Sequence, residues 1–302
     1  MRRAALLLAA VALAAPAPAD DPPAPGVVTR SLKSGGRART YLVHVPKGLD
    51  PKAPAPVVVV YHGAAMTGRL MRAVTGLDAA ADEHRFVVVY PDGAGLVQTW
   101  NSGGIPSVAA SRADDVAFTR DLLDDLKGVA AVDPKRVYAA GFSNGGMMAY
   151  KLANDLPDRF AAVCAVGGTM TYDTPNPKRP VPVIHFHGTE DLFVRYDGPG
   201  KGQAPAPKSV EATVTAWAKA DGCPPAPAEA DEPDVDPTDG CRVKRRTYGP
   251  GAAGSEVVLY TIVGGGHTWP GRPSPGGLAG RATKDIDANT RMWEFFRKHA
   301  RK

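Results

Sequence analysis

Short, uninterrupted apolar runs recur along this chain at intervals that leave room for a helix between one and the next. Residues 57–61 and 86–90 are almost wholly β-branched or aromatic, and 160–166 and 182–188 are nearly as apolar. A strand with one wet face alternates apolar and polar positions. A run that is apolar throughout has to be covered on both faces, as in a parallel sheet between helical layers. Residues 27–33 and 39–45, on either side of Ser34-Gly35-Gly36, read instead as a β-hairpin. Strands are also predicted at 136–140, 244–248 and 256–263, and helices at 78–84, 114–127, 146–154, 210–220 and 286–299. Asp114 and Asp115 stand where a helix N-terminus favours acids. Strand followed by helix over this length, with no internal repeat, predicts an α/β fold: a mostly parallel twisted sheet with helices on both faces.

The ends of the chain add compartment to this picture. Met1-Arg2-Arg3, the apolar run 4–15 and Ala17-Pro18-Ala19 form the basic, apolar and small-residue zones of a secretory signal peptide at 1–19. Residues 20–26 read as a disordered Pro/Ala-rich tail, and 27–302 as a single catalytic domain. The leader's apolar run is too short to span a bilayer, so the expectation is an exported chain without membrane insertion, extracellular or periplasmic. Loss of Arg2 and Arg3 with the leader lowers the net charge from +5 to +3, too small a bias for nucleic-acid binding. Export makes a disulfide between Cys223 and Cys241 the expected use of two of the three cysteines. It would close a ring of about 18 residues and contribute about 3 kcal/mol. Cys164, inside an apolar strand run, reads as an inert core thiol.

The chemistry is concentrated at Gly141-Phe142-Ser143-Asn144-Gly145-Gly146. A serine between glycines two residues to either side, after a strand and before a helix, is the pattern of a nucleophile elbow: the turn is so tight that side chains at the glycine positions would collide. A serine hydroxyl needs a base, and the base needs an acid, in the chain order Ser, then Asp or Glu, then His. Four histidines follow Ser143. His299 lies at the end of the terminal helix, and His185 and His187 lie in a strand; His267, in a glycine-rich loop straight after a strand, is the candidate base. Asp191, four residues beyond His187, is the candidate acid, with Glu190 as its neighbour and alternative. The oxyanion donors are the backbone N–H of Asn144 and of Ala64, with Ala65 as the alternative to Ala64, and His62 shapes that loop. Trp100 and Trp269 lie beside these loops and are the candidate substrate walls, with partly buried core residues as the competing reading.

Taken with His62-Gly63, Pro91-Asp92-Gly93, Thr99-Trp100-Asn101 and Asp114-Asp115-Val116, the segments GFSNGGMMAY, HGTEDLFVRYDG and GGGHTWPG resemble the secreted polyhydroxybutyrate depolymerase and feruloyl esterase-like group of carbohydrate esterase family 1. The resemblance runs from about residue 27 to the C-terminus. It implies the α/β-hydrolase fold, a serine esterase without cofactors, and a triad of Ser143, Asp191 and His267. The implied substrates are small or oligomeric esters, of polyhydroxybutyrate type or feruloyl and acetyl esters of plant polysaccharide. The same triad would serve acyl transfer to an alcohol, and a carbohydrate-binding protein of this fold without turnover is the reading from another class.

Two further patterns resemble ligand sites without completing one. His185-x-His187 puts two imidazoles on one face of a strand, but no third ligand follows at recognisable spacing, so no metal is expected. The acids of the 231–239 segment lack the glycine and terminal glutamate of a calcium loop and read as a solvated loop.

Overall fold

The computed structural model describes residues 26–50, 52–103, 112–199 and 207–302. The expected signal peptide and nearly all of the expected 20–26 tail lie outside the described residues. Among those described, ten strands form one sheet in the order β1-β2-β4-β3-β5-β6-β7-β10-β9-β8. They are β1 (Val27–Ser34), β2 (Arg37–His44), β3 (Ala55–Tyr61), β4 (Val87–Pro91), β5 (Val132–Phe142), β6 (Ala162–Val166), β7 (Val183–Gly188), β8 (Ala228–Asp231), β9 (Arg242–Tyr248) and β10 (Val257–Val263). The six central strands, β4 to β10 in that order, pair in parallel, and an antiparallel pair closes each edge.

The apolar runs end up where their composition demands. Val57, Val59 and Tyr61 of β3 point into one core and Val58 and Val60 into the other; Val87 and Val89 of β4 divide from Val88 and Tyr90 in the same way. The first core is covered by α3 (Asp115–Asp125), α4 (Asn144–Asp155) and α5 (Val210–Ala220), which supply Phe118, Met148 and Trp217. The second is covered by α1 (Gly68–Thr75), α2 (Leu77–His84) and α6 (Ala288–Phe296), with Met71, Leu77 and Phe296. Side-chain caps start four of the helices: Thr67, Asp114, Ser209 and Asp287 each accept an N–H from the first turn. No helix among the described residues is long and apolar enough to cross a membrane.

Three features depart from the sequence expectations. Helix α1 has no counterpart in them. Strand β8 has no counterpart either and ends at Asp231, where the segment read as a solvated loop begins, and acids of that segment are ion-paired: Glu232 with Arg245 and Arg291, Asp234 with Arg242, Asp236 with Lys284. The third departure is the disulfide, which is not formed: Cys223 and Cys241 are free thiols, as is Cys164. Geometry is the reason. Cys241 precedes β9, whereas Cys223 lies against Gly251, beyond the other end of that strand; a Cβ on Gly251 would stand 2.8 Å from the Cys223 sulfur. Seven strand residues at about 3.3 Å each separate the two ends, against a Cα separation of no more than about 7 Å for a bridge. The thiols also pack on opposite faces of the sheet, Cys223 against the first core and Cys241 within the second. Burial pushes both up to about 11.

Candidate active site

Because the central strands are parallel, the loops that follow them emerge on one edge of the sheet. Strand order also reverses between β3 and β5, since the chain moves outward from β3 to β4 and in the other direction from β5 onward. Such a reversal opens a crevice at the strand ends. Residues 62–67 leave β3 at that point and Ser143 leaves β5.

Ser143 holds φ 55° and ψ −119°, a conformation that side chains rarely adopt. The flanking glycines permit it. A Cβ on Gly141 would lie 2.1 Å from the Gly145 carbonyl oxygen, and one on Gly145 would lie 2.0 Å from that of Tyr61. The Ser143 N–H donates to the Val166 carbonyl at 2.8 Å, which fixes the turn to β6. Although serine is a preferred N-cap residue, the Ser143 side chain makes no capping bond to α4, so its hydroxyl is not spent on the helix.

His267 and Asp191 meet at this edge from the loops after β10 and β7. His267 Nδ1 is 2.6 Å from Asp191 Oδ2, and both residues are buried. The imidazole packs on Phe142, the neighbour of Ser143, at 4.6 Å between ring centroids. Gly167, at φ 58°, makes room for it: a Cβ there would come within 3.1 Å of the ring. Asp191 Oδ1 accepts the N–H groups of Phe193 and Val194, each at 2.9 Å. Burial pushes the Asp191 carboxyl upward, but the hydrogen bonds from His187 and His267 outweigh it and hold the group well below the usual carboxylate range. An ionised Asp191 only accepts, so His267 Nδ1 carries the hydrogen and Nε2 has the lone pair. Glu190 faces the other way, with Oε2 3.2 Å from Arg281 Nη1 at the exposed surface, which leaves Asp191 as the imidazole's carboxylate.

Ala64 and Ala65, the two residues expected to offer a second backbone donor, differ in their hydrogen bonding. The Ala65 N–H donates to the Gln98 carbonyl at 2.9 Å and that of Met66 to the Gly63 carbonyl at 3.2 Å, so the Ala64 N–H is the uncommitted one of the three among the described residues. The Asn144 N–H opens α4, where no intrahelical acceptor is available. His62 shapes this loop as expected. Its Nδ1–H donates to the Gly63 carbonyl at 2.7 Å and its Nε2 accepts the Gly93 N–H at 2.8 Å. Burial lowers it to about 4, so it stays neutral in this role.

The two tryptophans underlie the loops. Each is 2% exposed; the Trp100 indole donates to the His62 carbonyl and that of Trp269 to Asn289 Oδ1, both at 2.9 Å. Asn144, singled out for its backbone, also clamps Trp100 with its carboxamide, accepting the Trp100 N–H at 2.7 Å and donating to its carbonyl at 3.2 Å. The aromatic face that is open at the site belongs to Phe193, which is 56% exposed and whose ring centroid is 5.1 Å from that of His267. Phe193 lies inside the HGTEDLFVRYDG segment, but hydrophobic patterning does not single it out, because a loop residue takes part in no apolar period.

Residues 33–233 match the model of the Esterase family, described as "Putative esterase". The chain belongs to this family. It is 34% identical over 298 residues to "Putative esterase NocK" of Nocardia uniformis subsp. tsuyamanensis, an alignment that covers 86% of this chain and 85% of that protein. It is 32% identical over 241 residues to feruloyl esterase B of Piromyces equi, covering 76% of this chain and 42% of that longer protein. At the level of fold, the acetyl xylan esterase of Aspergillus awamori superimposes with a TM-score of 0.60 at 16% identity, covering 89% of this chain and 98% of the other. With the mixed, mostly parallel sheet between two helical layers, this gives the esterase chain an α/β-hydrolase fold.

Proposed function

We propose that this chain is a secreted serine esterase that hydrolyses carboxylic esters through an acyl-enzyme on Ser143. The observation that carries the reading is the buried 2.6 Å contact between Asp191 and His267, whose imidazole packs on Phe142, the residue just before Ser143 in its strained turn. His267 Nε2 takes the proton as Ser143 Oγ attacks the ester carbonyl. The N–H groups of Ala64 and Asn144 receive the developing oxyanion, and His267 returns the proton to the departing alcohol. Water then attacks the acyl-enzyme with His267 again as base, and Ser143 is released with the carboxylic acid. Asp191 holds the tautomer and balances the imidazolium charge without accepting the proton.

The names of the relatives, among them feruloyl esterase B and the poly(3-hydroxyalkanoate) depolymerase C of Paucimonas lemoignei, support a feruloyl, acetyl or hydroxyalkanoate ester as the substrate. The exposed Phe193 ring beside His267 supports an ester whose acyl part is apolar or aromatic. Comparison of kcat/KM on methyl ferulate, acetylated xylan and 3-hydroxybutyrate oligomers ranks these. The mechanism is tested by Ser143→Ala: turnover of a short-chain chromogenic ester should fall by about 10⁶-fold and fluorophosphonate labelling should disappear. Wild-type turnover in that variant would remove Ser143 from the reaction.

A further inference from the structure

The paired histidines of β7 are left unused by the reaction just described. His185 and His187 are buried, on one face of the strand, with rings 5.2 Å apart and 8° from parallel. Their nitrogens form a continuous chain. Tyr150 Oη is 2.7 Å from His185 Nδ1, His185 Nε2 is 3.0 Å from His187 Nδ1, and His187 Nε2 is 2.7 Å from the Val194 carbonyl oxygen and 3.4 Å from Asp191 Oδ2.

The direction of the hydrogens can be read from both ends. A carbonyl only accepts, so His187 Nε2 carries a hydrogen. At the other end the buried Tyr150 hydroxyl needs an acceptor, and burial raises it far above its ordinary range, so it keeps its proton and donates to His185 Nδ1. Burial and the neighbouring His187 lower His185 well below its ordinary range; it is neutral, and its single hydrogen sits on Nε2 and donates to His187 Nδ1. One arrangement therefore satisfies every ring nitrogen: Tyr150 to His185 to His187 to Val194. It also leaves no lone pair for a metal. All three donors point the same way, so the positive end of the chain is delivered beside Asp191 Oδ2.

The chain spans the parts of the site that must keep register. Tyr150 belongs to α4, the helix that begins right after Ser143, and Val194 belongs to the loop whose N–H groups hold Asp191 Oδ1. Val194 is thus held through both of its backbone polar groups, its carbonyl by His187 and its N–H by Asp191. We propose that Tyr150, His185 and His187 form a buried relay that positions the Asp191 carboxylate for His267 and ties it to the nucleophile helix. His187 is a positioning residue: it acts on the reaction through Asp191. This rests on the reading of Asp191 as the acid that serves His267.

A double-mutant cycle tests it on the purified full chain with a short-chain chromogenic ester. His187→Leu should lower kcat by about 10-fold or more with KM nearly unchanged, because a small misplacement of a positioned group is that costly. In an Asp191→Ala background the same change should alter kcat by less than about twofold, since groups that act as a unit are not additive. His187→Gln, which returns an N–H at the place of Nε2, should keep more activity than His187→Leu. Tyr150→Phe, which removes only the first donor, gives a milder cycle of the same sign if the leucine variant does not fold. Equal fold-losses in both backgrounds, or full activity of His187→Leu, would overturn the relay. Wild-type turnover by Asp191→Ala alone would instead overturn the triad reading, and the relay's role with it.

Discussion

At the scale of single residues, the tightest constraint at the proposed nucleophile is steric. Gly145 lies where β3 ends, and the Tyr61 carbonyl oxygen occupies the place of a Cβ, 2.0 Å from it. Both partners are backbone, in the central strand and the helix that crosses it, so neither can yield without moving a layer of the fold. Gly145→Ala should destabilise by more than about 4 kcal/mol, in the range of severe lesions, and yield little folded protein. Gly35 is a useful contrast. It sits at φ 55° in the β1–β2 turn with nothing within 4 Å of its Cβ position, so Gly35→Ala meets only the backbone strain of a left-handed residue, about 1 kcal/mol. Thermal melts of the two variants separate them; equal melting temperatures would show that the elbow relaxes and that the collision is not what selects glycine there.

Among elements, legibility followed how local the cause was. Strands β3, β4, β6 and β7 could be read because burial on both faces leaves a continuous apolar run. The elbow could be read because its backbone excludes every residue but glycine at 141 and 145. Helix α1 begins with Gly68, a poor helix former whose Cβ would strike the Tyr90 carbonyl oxygen at 2.4 Å; close packing on β4 put glycine there and erased the local signal. Strand β8, Ala-Glu-Ala-Asp, has weak strand preference and exists through pairing with β9. Ala64 and Ala65 are equivalent in sequence and differ in where Gln98 falls, and the His185–His187 relay depends on Tyr150, 35 residues away. The cysteines mark the same limit: spacing and compartment suggested a bridge that the length of β9 prevents. Denatured, unreduced protein should therefore titrate as three free thiols, and reductant should leave the melting temperature unchanged. A drop of several degrees on reduction would mean that the end of α5 and the start of β9 meet in solution.

For the whole molecule, stability against pH is set by groups on both edges of the sheet, and they oppose one another. Burial lowers His62 to about 4 and His185 well below its ordinary range, so as the pH falls from about 6.5 toward 4 the unfolded chain binds protons that the native one refuses, and stability falls. The depressed Asp191 adds to the loss below about pH 4. Asp221 works in the other direction. It caps the end of α5, bonds Ser255, and accepts the Val181 N–H at 3.0 Å just ahead of β7, at the edge opposite the proposed site. Burial raises it to about 6, only partly offset by Ser255, Val181 and Arg179. The native state thus carries an ionised, buried carboxylate above about pH 6, a cost absent below about pH 4 where both states are protonated. The difference of about two pH units corresponds to at most about 3 kcal/mol. Asparagine copies the protonated acid in shape and can keep both hydrogen bonds. Asp221→Asn should therefore melt higher than wild type at pH 8, converge with it toward pH 4, and leave ester turnover unaltered. A variant less stable than wild type at pH 8 would show that the ionised carboxylate is favourably held by Arg179 and is not a strained charge.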